Sequence, residues 1–91
     1  MYSRETIVIN KTGLHARPAT DFVLTAKRFS AKLLIAKQDR AEWNEVNAKS
    51  VIKLLTLGIT QGTRVKITGE GEDECEAVDT LIALIESGFG E

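Results

Sequence analysis

The hydrophobic pattern of this chain keeps changing period, and no segment holds one pattern for longer than about four helical turns. Glu5 to Asn10 carries the β-branched run Ile7, Val8 and Ile9 and stops at Lys11-Thr12-Gly13, which reads as a strand entering a turn. From Arg17 to Ser30 the period becomes helical. Ala19, Phe22, Val23, Ala26 and Phe29 share one face, Asp21, Thr25 and Arg28 lie opposite, and Pro18 suits the first turn. Lys32 to Lys37 predicts a second strand, Gln38 to Glu42 a polar loop, and Trp43 to Asn47 a short third strand forming a hairpin with the second. A helix follows from Ser50, a good N-cap, to Leu57, with Gly58 just past its end. Thr63 to Thr68 alternates Val65 and Ile67 with polar residues as a fourth strand, broken by Gly69-Glu70-Gly71. Glu74 to Ser87 predicts a third helix with the stripe Cys75, Val78, Leu81, Ile82 and Ile85, an acidic start and Gly88 beyond its end.

Short strands and one-striped helices in the order βαββαβα can bury their apolar faces only against one another. The expectation is an α+β fold of two layers, a mostly antiparallel four-stranded sheet with three helices on one face. A chain of 91 residues leaves room for one domain, spanning 1–91. The second helix is too short to turn Val51, Ile52, Leu54, Leu55 and Leu57 inward together, so some of them should be exposed and available to a partner.

Charge and cysteine content remove several classes of function. Twelve basic residues against 13 acidic ones leave a net charge of -1, which argues against nucleic-acid binding. Cys75 is the only cysteine, so an internal disulfide and a cysteine metal cluster are both excluded. No apolar run approaches the roughly 18 residues that span a bilayer, and MYSRETIVIN lacks the features of a secretion signal. The expected location is cytoplasmic, without membrane insertion. Cys75 is expected in the core and Trp43 at a strand end.

The chemistry concentrates in Gly13-Leu14-His15-Ala16-Arg17-Pro18. Gly13 permits a tight turn out of the first strand. His15, the only histidine, then falls at the mouth of the first helix. First-turn N–H groups have no partner inside a helix, and the aligned peptide dipoles favour an anion there. Ala16 and Arg17 can offer their amides to that mouth, and the Arg17 guanidinium adds planar donors suited to phosphate oxygens. The same field works against a positively charged ring, and a neutral ring nitrogen is the nucleophilic form. A lone histidine is more often a surface or capping residue, so the residues by themselves leave an anion site and a cap both open. A metal site and a hydrolytic triad are disfavoured, because no second histidine and no nucleophile elbow are present.

Gly13-Leu14-His15-Ala16-Arg17-Pro18-Ala19 closely resembles the active-site segment of the HPr family, the histidine-containing phosphocarriers of the bacterial sugar phosphotransferase system. Val46-Asn47-Ala48-Lys49-Ser50 through Leu57-Gly58 resembles the family's second signature, around a regulatory serine. The resemblance covers essentially the whole chain. It implies the open-faced β-sandwich of that family and a carrier that is not an enzyme in the usual sense, with no metal and no organic cofactor. It further implies that enzyme I phosphorylates His15 on Nδ1, with Arg17 assisting and the Ala16 and Arg17 amides holding the phosphoryl group, and that EIIA domains receive it. Leu14, Val51, Ile52 and Leu55 would dock both partners, and Ser50 would be the site of HPr kinase/phosphorylase. The chain would act as a monomer. Two departures bear on partner preference: a longer connection from Gln38 to Asn47, and Lys53 where many members carry a small residue. The alternatives are a nitrogen-branch regulator using the same histidine, and a module binding a transcription regulator through Ser50.

Overall fold

A computed structural model describes residues 1–91. Its elements are β1 (Tyr2–Ile7), α1 (Ala16–Ala26), β2 (Lys32–Asp39), β3 (Glu42–Asn47), α2 (Val51–Thr56), β4 (Arg64–Glu70) and α3 (Glu74–Glu86), followed by one 3-10 turn at Gly88–Gly90. The strands form one sheet in the order β1-β4-β2-β3, every neighbouring pair antiparallel. This is the expected α+β order, with the helices packed on a single face.

Register decides which residues meet the helices. Tyr2, Arg4 and Thr6 stand opposite Gly69, Ile67 and Val65, and Leu33 and Ile35 complete that face from β2. Against it lie Phe22, Val23 and Ala26 of α1, Leu54 of α2, and Ala77, Val78, Leu81, Ile82 and Ile85 of α3, all in one core cluster. The rim of the covered face is polar: Tyr2 Oη and Arg4 Nη1 both donate to Asp79 Oδ1, at 2.8 and 3.0 Å. The other face is open to solvent. There Lys66, the register partner of Ala36, lies with its ammonium 4.6 Å from the Trp43 ring centre, a cation–π contact.

Several boundaries differ from those predicted from sequence. The first strand runs from Tyr2 to Ile7 instead of Glu5 to Asn10, because its pairing with β4 begins at Gly69 and ends at Arg64. Val8 is still buried, while Ile7 and Ile9 face out. The first helix stops at Ala26, although Phe29 remains in the core beyond it. The expected 38–42 loop is mostly strand: only Arg40 and Ala41 turn the hairpin, with Arg40 at φ +60° in the left-handed conformation such two-residue turns require. The longer connection is thus taken up as extra strand. Gly69 does not break β4 but lies inside it, where a Cβ would come within 2.9 Å of Val78 Cγ2, so the missing side chain lets α3 settle against the sheet. Cys75 is exposed, not core. The buried stripe of Ala77, Val78, Leu81, Ile82 and Ile85 is centred close to Ile85, and at about 100° per residue Cys75 falls roughly a right angle away from its middle. Trp43 is half-buried on the open face.

Asp73, the residue before α3, ties that helix to the α1–β2 connection. Its carboxylate accepts from the Ser30 and Ala31 amides at 2.9 and 2.8 Å and from Ser30 Oγ at 3.3 Å. The Ser30 amide, with help from that of Ala31, holds the Asp73 carboxyl below its usual value of 3.8. A depressed folded-state value means the stabilisation is present above the unfolded-state value and is lost as the pH falls through the folded one. Asp73→Asn should therefore be less stable than the native chain near neutrality, and the gap should narrow below about pH 4. Urea unfolding at about pH 6 and about pH 3 measures it, and a gap that stays constant would contradict the assignment.

Candidate functional site

The segment between β1 and α1 is fastened by its backbone and one side chain. The Gly13 amide donates to Asn10 O at 3.1 Å, the Asn10 Nδ2 amide donates back to Gly13 O at 2.9 Å, and the Leu14 amide donates to Ile59 O at 3.1 Å. Gly13, at φ +68°, is pressed so closely on the next segment that a Cβ would lie 2.5 Å from Ile59 O and 2.8 Å from Thr60 Cα. No other residue type fits there, which is why the glycine precedes the histidine by two positions.

His15 is the N-cap residue of α1, extended at φ -129° and ψ 162° and half-buried. Its side chain makes no capping bond to the helix. Reading the residue as a simple side-chain cap therefore fails: the ring stands at the N-cap position without satisfying a helix amide. The amides of His15, Ala16 and Arg17 donate to no group of the protein, and Pro18 has no N–H to add. Three N–H groups and the positive end of the helix dipole are left for an anion. Arg17 is exposed and forms no ion pair, so its guanidinium is uncommitted. Ala16 sits at φ +52°. For a residue with a Cβ that backbone costs on the order of 1–2 kcal/mol, a strain of the kind concentrated at functional sites.

The second signature lies on α2, which packs against α1. Ser50 is its N-cap, and Ser50 Oγ accepts from the Lys53 amide at 3.2 Å. At the other end Lys37 Nζ donates to Leu57 O and Gly58 O, at 3.0 and 3.3 Å. A helix of six residues is too short to hold by its own ladder, and these ties at both ends supply what the length does not. Ser50→Ala should cost about 1 kcal/mol of stability. A fall in the urea midpoint without a change in slope would register it, and an unchanged midpoint would show that the cap is idle.

Of the expected docking residues, Val51, Ile52 and Leu55 are exposed at 38, 74 and 43%. Leu14 is not: it is 1% exposed and belongs to the core, in a segment whose backbone is tied to Ile59 O through the Leu14 amide. Sequence reasoning passed over Leu24, which is 57% exposed on α1, two turns beyond Arg17 on the same side. Its signal was available, since Leu24 is the one large apolar residue of that helix lying off the buried stripe. Lys53 is exposed on α2 next to Ile52. The two surface depressions, of about 250 and 480 Å³, lie on the open sheet face and at the hairpin turn, and neither includes His15. No helix is long and apolar enough to cross a membrane.

The family described as "PTS HPr component phosphorylation site" matches residues 2–87. Phosphocarrier protein HPr of Haemophilus influenzae is 45% identical over 85 residues, covering 93% of this chain and 95% of the relative. The HPr-like protein Crh of Halalkalibacterium halodurans is 43% identical over 86 residues, covering 94% and 98%. Among solved structures, HPr-C-His of Thermoanaerobacter tengcongensis superposes with a TM-score of 0.90 at 46% identity, over 100% of this chain and 98% of that one. With the sheet order, the helix-mouth histidine and the matched span in agreement, the chain belongs to the HPr family of phosphocarrier proteins of the phosphotransferase system.

Proposed function

We propose that His15 is the phosphoryl acceptor. In this reading Nδ1 of the neutral ring attacks the phosphorus of phospho-enzyme I, the nitrogen–phosphorus bond at His15 forms as the donor's bond breaks, and an EIIA domain later takes the group by the reverse chemistry. The observation that carries the proposal is the helix mouth itself: an uncapped ring, three free amides and an unpaired arginine in one turn. Preorganised donors of this kind stabilise charge without reorganising during transfer. The Ala16 and Arg17 amides would hold the phosphoryl oxygens, and Arg17 would follow the charge as it moves.

The exposed Val51, Ile52 and Leu55 suit a docking face for enzyme I and EIIA, with Leu24 extending it along α1. A phosphate on Ser50, placed there by an HPr kinase/phosphorylase, would add two negative charges to that face and weaken docking of enzyme I. We assign the carrier to the cytoplasm and to a monomeric state.

The deciding experiment incubates the protein with phosphoenolpyruvate and a purified general enzyme I and reads the intact mass. A gain of one acid-labile phosphoryl group supports the sugar-uptake branch. Charging only by a nitrogen-branch enzyme I assigns the protein to regulation, and no charging by either overturns the phosphoryl-acceptor reading.

A further inference from the structure

The chain end reaches back to the loop that carries His15. Beyond α3, Gly88, Phe89 and Gly90 all adopt positive φ, at 72, 56 and 80°. The turn is closed by the Glu91 amide, which donates to Gly88 O at 3.0 Å, and by the Phe89 amide, which donates to Ser87 Oγ at 3.3 Å. Phe89 is no natural occupant of that backbone region, and the turn holds it there all the same. The result is that Glu91 Oε1 accepts from the Thr12 amide at 3.1 Å and from Asn10 Nδ2 at 3.4 Å. Asn10 is 4% exposed and its Nδ2 also donates to Gly13 O, at 2.9 Å. With both amide hydrogens directed at Glu91 and Gly13, Asn10 Oδ1 is left buried and without a partner. A buried amide normally turns to satisfy its oxygen, so the two acceptors dictate its orientation.

We propose that Glu91 is a positioning residue for phosphoryl transfer, acting through Asn10 and Thr12 on Gly13 and so on the placing of His15 at the helix mouth. The inference rests on the phosphoryl-acceptor reading of His15. Nothing else fastens the Thr12 amide, and Thr12 lies three residues before the histidine. The Thr12 amide holds the Glu91 carboxyl below the usual carboxylate range, as a working acceptor would be held. The carboxylate approaches from the Thr12 side and meets neither Arg17 nor the free amides, so it leaves the anion site unfilled.

The test compares the native chain with Glu91→Ala and Glu91→Gln in three measurements: the rate of charging by enzyme I, the unfolding midpoint, and the NMR signals of the Thr12 amide and the His15 ring. Glu91→Ala should charge about tenfold more slowly, because small misplacements of a reacting group carry such penalties. Its Thr12 and His15 signals should shift while the unfolding midpoint barely moves. Glu91→Gln, which keeps a carbonyl oxygen as acceptor, should recover part of the rate. Native-like charging and an unmoved Thr12 signal in Glu91→Ala would overturn the proposal. So would a slowed Glu91→Ala whose unfolding midpoint falls in step and whose rate Glu91→Gln does not improve. If the native chain takes up no phosphoryl group, the acceptor reading fails by itself, and shifted Thr12 and His15 signals would still support the Glu91 contact.

Discussion

His15→Ala is expected to take up no phosphoryl group from phospho-enzyme I under conditions that charge the native chain to completion. The effect should be all or none, because the proposed transfer needs a nitrogen nucleophile at the helix mouth and the chain has a single histidine. The variant should fold normally. The His15 ring is half-buried and makes no hydrogen bond to the helix, and substitutions without such features usually change stability by less than about 0.5 kcal/mol. Intact-mass measurement after incubation checks the first expectation and urea unfolding the second. An acid-labile phosphoryl group on His15→Ala would end the assignment, whereas an acid-stable one would point to a hydroxyl such as that of Ser50.

Gly13→Ala should be the most damaging small substitution in the molecule. Alanine at φ +68° costs about 1–2 kcal/mol for the left-handed backbone. Its Cβ would also sit 2.5 Å from Ile59 O, which is backbone and cannot swing away. Forcing an atom into such a contact costs a further 1–3 kcal/mol, roughly. The sum is on the order of 2–5 kcal/mol against a total of about 5–15 for a domain of this kind. Gly62→Ala is the control: φ there is +89°, but nothing lies within 4 Å of the added carbon. It should show the conformational cost alone. Equal losses in the two variants, read by urea unfolding, would mean that the contact with Ile59 is of no account. Charging should also slow in Gly13→Ala alone, since relief of the clash must displace the segment that holds His15.

Much of this could be read from residue order. The helical spacing of Ala19, Phe22, Val23, Ala26 and Phe29 named residues that are all buried, and Ser50 caps its helix as its type and place suggested. Those are local properties, set within a turn or two of chain. The errors arose where a distant segment decides. Gly69 reads as a breaker until α3 is seen to need the space above it, and Leu14 reads as surface until its amide pairs with Ile59. Cys75 completes a stripe in sequence, but the face of α3 that meets the sheet runs through Ala77, Val78, Leu81, Ile82 and Ile85 and leaves it in solvent. The 38–42 segment is polar because it is a hairpin end with a wet face, which composition cannot distinguish from a loop.

At the site the division is the same. The sequence by itself determined that a histidine, two amides and an arginine would meet at a helix mouth, because all four lie within a single turn and helix geometry does the rest. Only the tertiary structure decided that the ring would stay uncapped, that Leu14 would enter the core, and that Glu91 would reach Thr12 from the far end of the chain. Those outcomes depend on contacts between residues up to 81 positions apart. Such contacts exist only once the sheet has chosen its register and the helices have settled on one face.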